Sequence, residues 1–500
     1  MLRSVGSNWA VTALTILVLY LLTPFTLLQL GTEGYGTWLL ITSMNGYLGL
    51  LVLGVPMASV RYFAQHVANR DTRKLNEAIS SCMGLYVLLG LIALVIGIGL
   101  YAFFSLYGIP TWLHSDARSA FAVMMLFVAV GFVALLPEGI LAAHGDFVPR
   151  NMVRLAGLLL RLGLTIGLLT LKASLTVLAL VQLGCLLFDF ALCLLILRRR
   201  HPETRLGLSF NWPVVRQIFS FSLFVLVLHA GARLTFETDS LVIGAFMDVG
   251  SIPYFTIANS LIIYLMEFVV AIAAVVMPTA TRLQTEGKIA ELREIFLKWS
   301  KIALSLTIMG GLFLLVLGPR FIAFWVGPEF EHSAGQVLQI LMISYLIFLP
   351  VRGVALPMLM GLGKPKVPTI GFFIAGLVNV GLSIVLVGPL GIVGVALGTA
   401  IPNVLFAVLV LVLACREVDA PITDYVRYVV PRALLGAIPV FAVLLWFKVG
   451  LDVRGLVGLV SAGAVMALVF GLIWVLFVYR NDRYVAMRLR MPQLRATSRA

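Results

Sequence analysis

Charge is scarce in this chain: Asp, Glu, Lys and Arg make up only 12% of its 500 residues, about half of what a soluble chain carries. Long polar stretches are missing too. The longest connections between apolar runs are about 15–25 residues and basic, too short for a separate aqueous domain. Catalytic signatures are absent. No Walker A sequence, HExxH, CxxC pair or GxSxG occurs, so ATP hydrolysis, zincin, dithiol and serine-hydrolase chemistry find no support. The four cysteines (Cys82, Cys185, Cys193, Cys415) lie in or beside apolar segments. They show neither metal-ligand spacing nor a secreted disulfide framework and read as small packing residues. No cofactor and no metal site is predicted. A small-residue cleavage site after Met1-Leu2-Arg3 is missing as well, so the first helix is expected to stay as an anchor.

What is present is apolar. Hydrophobic residues form 61% of the chain, in fourteen runs from 9–30 to 455–479 that approach or exceed the about 20 residues a bilayer core requires. The net charge of +14 has no soluble domain to present it, which argues against nucleic acid. It lies in juxtamembrane loops, where it sets topology and meets anionic lipid. With the N-terminus inside, 28 of the 36 basic residues fall on the cytoplasmic side, including those from Arg282 through Lys301, and five on the other. Both termini are therefore expected in the cytoplasm, in a multi-pass protein of the cytoplasmic (inner) membrane. Segment 282–299 alternates Leu283, Ile289, Leu292, Ile295 and Phe296 with basic residues and reads as one amphipathic surface helix.

Three landmarks recur at nearly one offset. The turn Gly31–Gly36 resembles Gly250–Tyr254, Val55–Arg61 resembles Met277–Arg282, and Gly145–Arg150 resembles Gly363–Pro368. The chain thus reads as an all-α polytopic membrane protein of about 14 transmembrane helices, in two pseudo-symmetric six-helix lobes plus two C-terminal helices. The divisions are 1–200, 201–415, 416–480 and a basic cytoplasmic tail 481–500. Transporters built from two parallel repeats place their pathway between the halves.

An ionised group near the bilayer centre is costly and therefore a functional candidate. His229, Arg233 and Glu237 follow i, i+4, i+8 spacing on one helix face, with Asp239 just beyond; Arg233 and Glu237 also have the spacing of a plain intrahelical ion pair. Arg352 lies between Pro350 and Pro357 with no acid nearby in sequence. Arg154 and Arg161 share a face, and Glu267 lies inside the eighth segment. Arg154 and Glu138 also fit a snorkelling interfacial role, and Asp189 fits pairing with Arg198–Arg200. Arg352, Arg233, Arg161 and Arg154 are the candidates to hold an anionic substrate, by the guanidinium fork. Asp239, Glu237, His229 and Glu267 are the candidates for ion or proton coupling. Gly394 and Gly398 form a GxxxG, read as close helix packing.

The stretch Leu30-Gly31-Thr32-Glu33-Gly34-Tyr35-Gly36, together with Asp239 to Gly244 and Tyr254 and the turn Gly361-Leu362-Gly363-Lys364, resembles the polysaccharide-type transporters of the multidrug/oligosaccharidyl-lipid/polysaccharide exporter superfamily. Met247–Gly250 departs from that pattern. The resemblance implies a flippase for a polyprenyl-diphosphate-linked oligosaccharide, two lobes around a cavity, and cation or proton coupling with Asp239 as the transmembrane acid. A polysaccharide polymerase is the candidate protein partner. A lipid II flippase and a drug or cation antiporter of the same superfamily, and a membrane-embedded glycan-biosynthesis enzyme, are the competing readings.

Overall fold

The computed structural model describes residues 2–52, 54–102, 104 and 107–485, without the side chains of 2–13, 217–226 and 228. Part of the seventh apolar segment and the tail from 486 thus fall outside the described residues. All regular structure among those described is helical. In lipid a helix satisfies its own backbone hydrogen bonds, and an open strand edge does not.

The helices are α1 (Leu2–Gly49), α2 (Val55–Ala68), α3 (Thr72–Ala102), α4 (His114–Ala143), α5 (Phe147–Leu171), α6 (Leu175–Arg200), α7 (Trp212–Phe236), α8 (Thr238–Phe246) and α9 (Ile252–Val270). They continue with α10 (Ala273–Thr285), α11 (Ile289–Val316), α12 (Gly318–Val326), α13 (Phe330–Pro350), α14 (Leu356–Gly361), α15 (Lys366–Glu417), α16 (Ile422–Val429), α17 (Pro431–Leu445) and α18 (Leu456–Ile473). Among the described residues, eleven helical stretches are long and apolar enough to cross a membrane. Two of them, Leu14–Ala68 and Lys366–Glu417, run to 55 and 52 residues, and each holds two of the fourteen segments read from the sequence. Inside them Gly31 (φ 69°) and Gly391 (φ 58°) leave helical geometry. At Gly391 the two arms of α15 fold against each other. A Cβ on Gly394 would overlap the Leu386 carbonyl, and one on Gly398 would overlap Ser383, so this GxxxG is a packing device between arms of one hairpin.

The chain divides into two compact units, Met1–Ser260 with Trp325–Ile340 and Thr369–Pro402, and Leu261–Phe324 with Leu341–Pro368 and Asn403–Ala500. In the first, α4 packs against α6 and α3, and α5 against α6 and α1. Asp116 at the start of α4 closes the start of α6: its carboxylate accepts from the N–H groups of Leu175 (2.7 Å) and Thr176 (3.1 Å) and the Ser174 hydroxyl (2.7 Å). A negative charge there satisfies orphan donors and the helix dipole together. In the second unit α11 packs against α17, α17 against α18, and α10 against α14. The four cysteines are buried free thiols, as their apolar settings suggested.

The sequence repeat reappears in how helices end. Gly145 and Gly363 are both left-handed (φ 80° and 67°). Each donates its N–H three residues back, to Ala142 and Met360, and the next residue donates five back, to Leu141 and Leu359. This is the Schellman arrangement. A further matching pair closes the same way: Arg70 (φ 52°) and Gly287 (φ 70°) donate to Val67 and Gln284, and Asp71 and Lys288 to His66 and Leu283.

Two expectations change. Segment 282–299 is not one surface helix, because left-handed Gly287 ends α10 and lets α11 begin at Ile289. Lys301 does not belong to the juxtamembrane charge; it is buried in α11 against Asp482. The tyrosine-glycine turn acquires a physical reason as well. A Cβ on Gly36 would coincide with the Val249 carbonyl, so only glycine permits this approach. Gly36→Ala should therefore destabilise the protein by at least about 1–3 kcal/mol. Gly163→Ala, whose Cβ meets open space, should be near neutral; thermal unfolding in detergent compares the two.

Candidate functional site

Several polar groups of the first unit converge where α7 gives way to α8. The helix is interrupted at Glu237 (φ −127°, ψ −12°), and interrupted membrane helices expose backbone that lipid cannot satisfy. Here α1 meets that need. The Ser43 hydroxyl donates to the Glu237 carbonyl (2.7 Å), the Tyr47 hydroxyl donates to the Arg233 carbonyl (3.3 Å), and Tyr47 also bonds the Thr238 hydroxyl. Ser43 and Tyr47 are one turn apart on α1 and share a face. Gly46 beside them leaves room for the Arg233–Glu237 ion pair, since a Cβ there would press on both charged ends. The intrahelical spacing of Arg233 and Glu237 is thus realised as an ion pair, with each side chain 35% exposed. Tyr47 also lines a cavity of about 320 Å³ whose other walls include Met44, Leu48, Tyr107 and Leu241.

Asp239 lies two residues beyond the break and is buried. The Asn379 amide donates to the Thr399 hydroxyl (3.0 Å) and to the Thr235 carbonyl (3.3 Å). The Thr399 hydroxyl in turn donates to Asp239 Oδ1 (3.0 Å). Ser383, one turn after Asn379, packs against Gly398 beside Thr399. The two arms of α15 and the start of α8 thereby gather oxygen-bearing side chains around one carboxylate. Among the described residues, Asp239 Oδ2, Asn379 Oδ1 and Ser383 Oγ are buried with no hydrogen-bond partner. Buried polar atoms are normally paired. Hard oxygen donors of this kind suit a hard cation, and a lone buried carboxylate also suits a proton.

The other sequence candidates fall elsewhere. His229 is exposed on α7. Arg154 pairs with Glu138, which Arg150 also approaches (3.8 Å). Asp189 does not pair with Arg198–Arg200. Arg200 instead binds Asp146 (3.0 Å), while Asp189 abuts Gly157, with Arg161 as the strongest opposing charge acting on it. Gly157 makes this possible, because any Cβ would overlap the carboxylate.

In the second unit, Arg352 sits in a π-helical turn, Val351–Ala355, directly after α13. Pro357 has no N–H for the Gly353 carbonyl, which loosens the helix there. The Arg352 guanidinium lies 5.7 Å from the Phe348 ring centroid, and the charge of Glu267 acts on it. The acid whose charge acts on Arg352 is therefore 85 positions away in sequence and invisible to local spacing. Ser43, Gly46, Tyr47, Asn379, Ser383 and Thr399 were not singled out from the sequence. The small polar run Thr42-Ser43-Met44-Asn45-Gly46-Tyr47 inside an apolar segment was the available signal for the first three.

A family model described as "polysaccharide biosynthesis protein" matches residues 1–284. The uncharacterized membrane protein EpsK of Bacillus subtilis (strain 168) is 22% identical over 456 residues, 88% of this chain and 87% of the relative. A candidate O-antigen transporter of Shigella flexneri is 20% identical over 390 residues, 76% of this chain and 89% of its own length. Among solved structures, the lipid II flippase MurJ in an inward closed conformation superposes with a TM-score of 0.69 at 16% identity, covering 95% of this chain and 99% of that one. An inward-facing MATE family transporter of the MOP superfamily gives 0.67 at 16% identity, covering 81% and 98%. At these identities the superpositions speak to the fold alone.

Proposed function

Because the chain belongs to the polysaccharide biosynthesis protein family, as a multi-pass membrane protein with a MATE- and MurJ-like fold, we propose that it is a flippase. Its substrate is a polyprenyl-diphosphate-linked oligosaccharide, carried across the cytoplasmic membrane for surface polysaccharide synthesis. The reading includes fourteen spans, both termini in the cytoplasm, the lobe divisions at 200 and 415, anionic lipid at the basic end, and a polysaccharide polymerase as partner. The observation that carries it is the partly exposed Arg233–Glu237 pair on a helix whose Arg233 backbone carbonyl accepts from Tyr47, a residue that also lines an apolar cavity. An ion pair and an apolar cavity that share Tyr47 as a neighbour suit a substrate with a charged diphosphate on a prenyl chain. Arg233 contributes a fork for phosphate oxygens, and Arg352, Arg161 and Arg154 are the further candidate substrate-binding arginines. The Asp239 cluster supplies the coupling step, binding a cation or proton whose arrival changes the charge inside the bundle.

Reconstituted vesicles loaded with a fluorescent polyprenyl-diphosphate oligosaccharide test this. Protein-dependent appearance of the intact lipid in the other leaflet is expected, driven by a sodium or proton gradient. Absence of translocation under every gradient overturns the reading, and cleavage or extension of the glycan would point instead to a membrane enzyme. Arg233→Gln removes one charge-assisted interaction of about 1.5–3 kcal/mol. Translocation should therefore fall about 10- to 100-fold, with membrane insertion intact.

A further inference from the structure

Away from the Arg233 and Asp239 clusters, three potential ligands meet at the end of the first unit where α4 and α6 finish. One ring nitrogen from each of His144 and His201 and one carboxylate oxygen of Glu203 all lie within 4.8 Å of one another. We propose that His144, His201 and Glu203 bind a divalent first-row transition metal, zinc by the character of the donor set. The site is distinct from the flippase reading and does not depend on it.

The remaining hydrogen bonds are those a metal site needs. His144 Nδ1 faces the Ile140 carbonyl at 2.9 Å, so the tautomer that donates there leaves Nε2 as the ligand. His201 Nε2 faces Asp146 Oδ2 at 2.8 Å, which leaves Nδ1, and that atom is 3.5 Å from Glu203 Oε1. Two ligands on one tetrahedral zinc stand about 3.3 Å apart, so this edge is already nearly formed. Metal-bound histidines characteristically donate their second nitrogen to a carbonyl or carboxylate, and both acceptors are in place. Asp146 is itself held by Arg200 (3.0 Å).

The site is also tethered in advance. Asn76 on α3 donates to the Glu203 carbonyl (3.1 Å) and accepts from the Arg205 N–H (2.8 Å), so the backbone from Glu203 to Arg205 is fastened. The imidazole rings lie 3.8 Å apart at 31°, and a shared ion would draw Nε2 of His144 and Nδ1 of His201 toward a common point. Two imidazoles and one carboxylate leave a fourth position for water. No spacing in the sequence announces this site, because its ligands sit at the ends of α4 and α6 and in the connection that follows. A bound ion would tie that connection, which leads into α7, to the end of α4.

The test uses the full-length protein in detergent, stripped with chelator and titrated with zinc and, separately, cobalt. One ion per chain, a higher melting temperature with zinc, and a tetrahedral cobalt absorption spectrum are expected. His201→Ala and the exposed Glu203→Gln should each weaken binding at least tenfold, and Asp146→Asn about 10- to 100-fold, as for other supporting residues. Glu203→Gln keeps the test decisive if His201→Ala fails to fold. Absence of stoichiometric binding, or affinity unchanged in Glu203→Gln, overturns the site and leaves His201 as a hydrogen-bonding link between Asp146 and the connection that follows α6.

Discussion

Asp239→Asn should abolish gradient-driven translocation while leaving the protein folded. Asparagine keeps the shape of the side chain and an oxygen for the Thr399 hydroxyl, which donates to Asp239 Oδ1 at 3.0 Å, so the α8–α15 contact survives. What disappears is the negative charge. Interactions of a charged group with a well-placed partner are worth about 1.5–3 kcal/mol or more, and each 1.4 kcal/mol is about tenfold in affinity. Cation affinity should thus fall about tenfold to a hundredfold, and the stimulation of transport by an imposed gradient should vanish. Running sodium and proton gradients separately on wild type and Asp239→Asn identifies the coupling species. Full gradient stimulation in the variant would remove Asp239 from the coupling step. Thr399→Ala serves as the companion, since it removes the hydroxyl that links Asn379 to the carboxylate but keeps the charge. A partial loss is expected there.

Separating Lys301 from Asp482 should produce a large loss of stability. Both side chains are 1% exposed. The Lys301 ammonium also donates to the Val478 carbonyl (3.2 Å) and lies 4.7 Å from the Tyr428 ring centroid. The Tyr428 hydroxyl donates to Asp482 Oδ1 at 2.6 Å. The pair therefore fastens α16 and the chain after α18 to α11. Removing one member strands a buried charge, which costs about 3–5 kcal/mol. Asp482→Ala should lower the melting temperature strongly, whereas Lys301→Met with Asp482→Leu should recover most of the loss, because no charge is left unpaired.

The same pair carries a pH dependence. Burial pushes the Asp482 carboxyl up. The Lys301 ammonium, the Tyr428 hydroxyl and the N–H groups of Tyr484 and Val485 outweigh that and hold it below the usual carboxylate range. A carboxyl depressed in the folded state stabilises it above the ordinary carboxylate pKa, and that contribution is lost as pH falls through the depressed value. The melting-temperature gap between wild type and Asp482→Asn should therefore be full at neutral pH and close in acid. A gap that widened on acidification would contradict the pairing.

Composition and pattern alone determined that this is a helical membrane protein, where most of its apolar segments lie, and that several of its helix-ending turns recur at one offset. Those properties are local. A run of apolar residues is driven into lipid by its own transfer free energy, and lipid then demands a helix. The left-handed glycines at 145 and 363 recur because equivalent helices end alike. Embedded charge also marked Asp239, Arg233 and Arg352 as worth attention, since lipid penalises a charge wherever its neighbours are. Which neighbours those charges have was decided only by tertiary packing. The charge of Glu267 acts on Arg352, that of Arg161 acts on Asp189 in place of the arginines at the end of its own helix, and Lys301, an unremarkable basic residue in sequence, is buried against Asp482. Partners 28, 85 or 181 positions apart leave no trace in local spacing. The choice among them depends on where a glycine lets two helices approach and which buried group would otherwise be left unpaired.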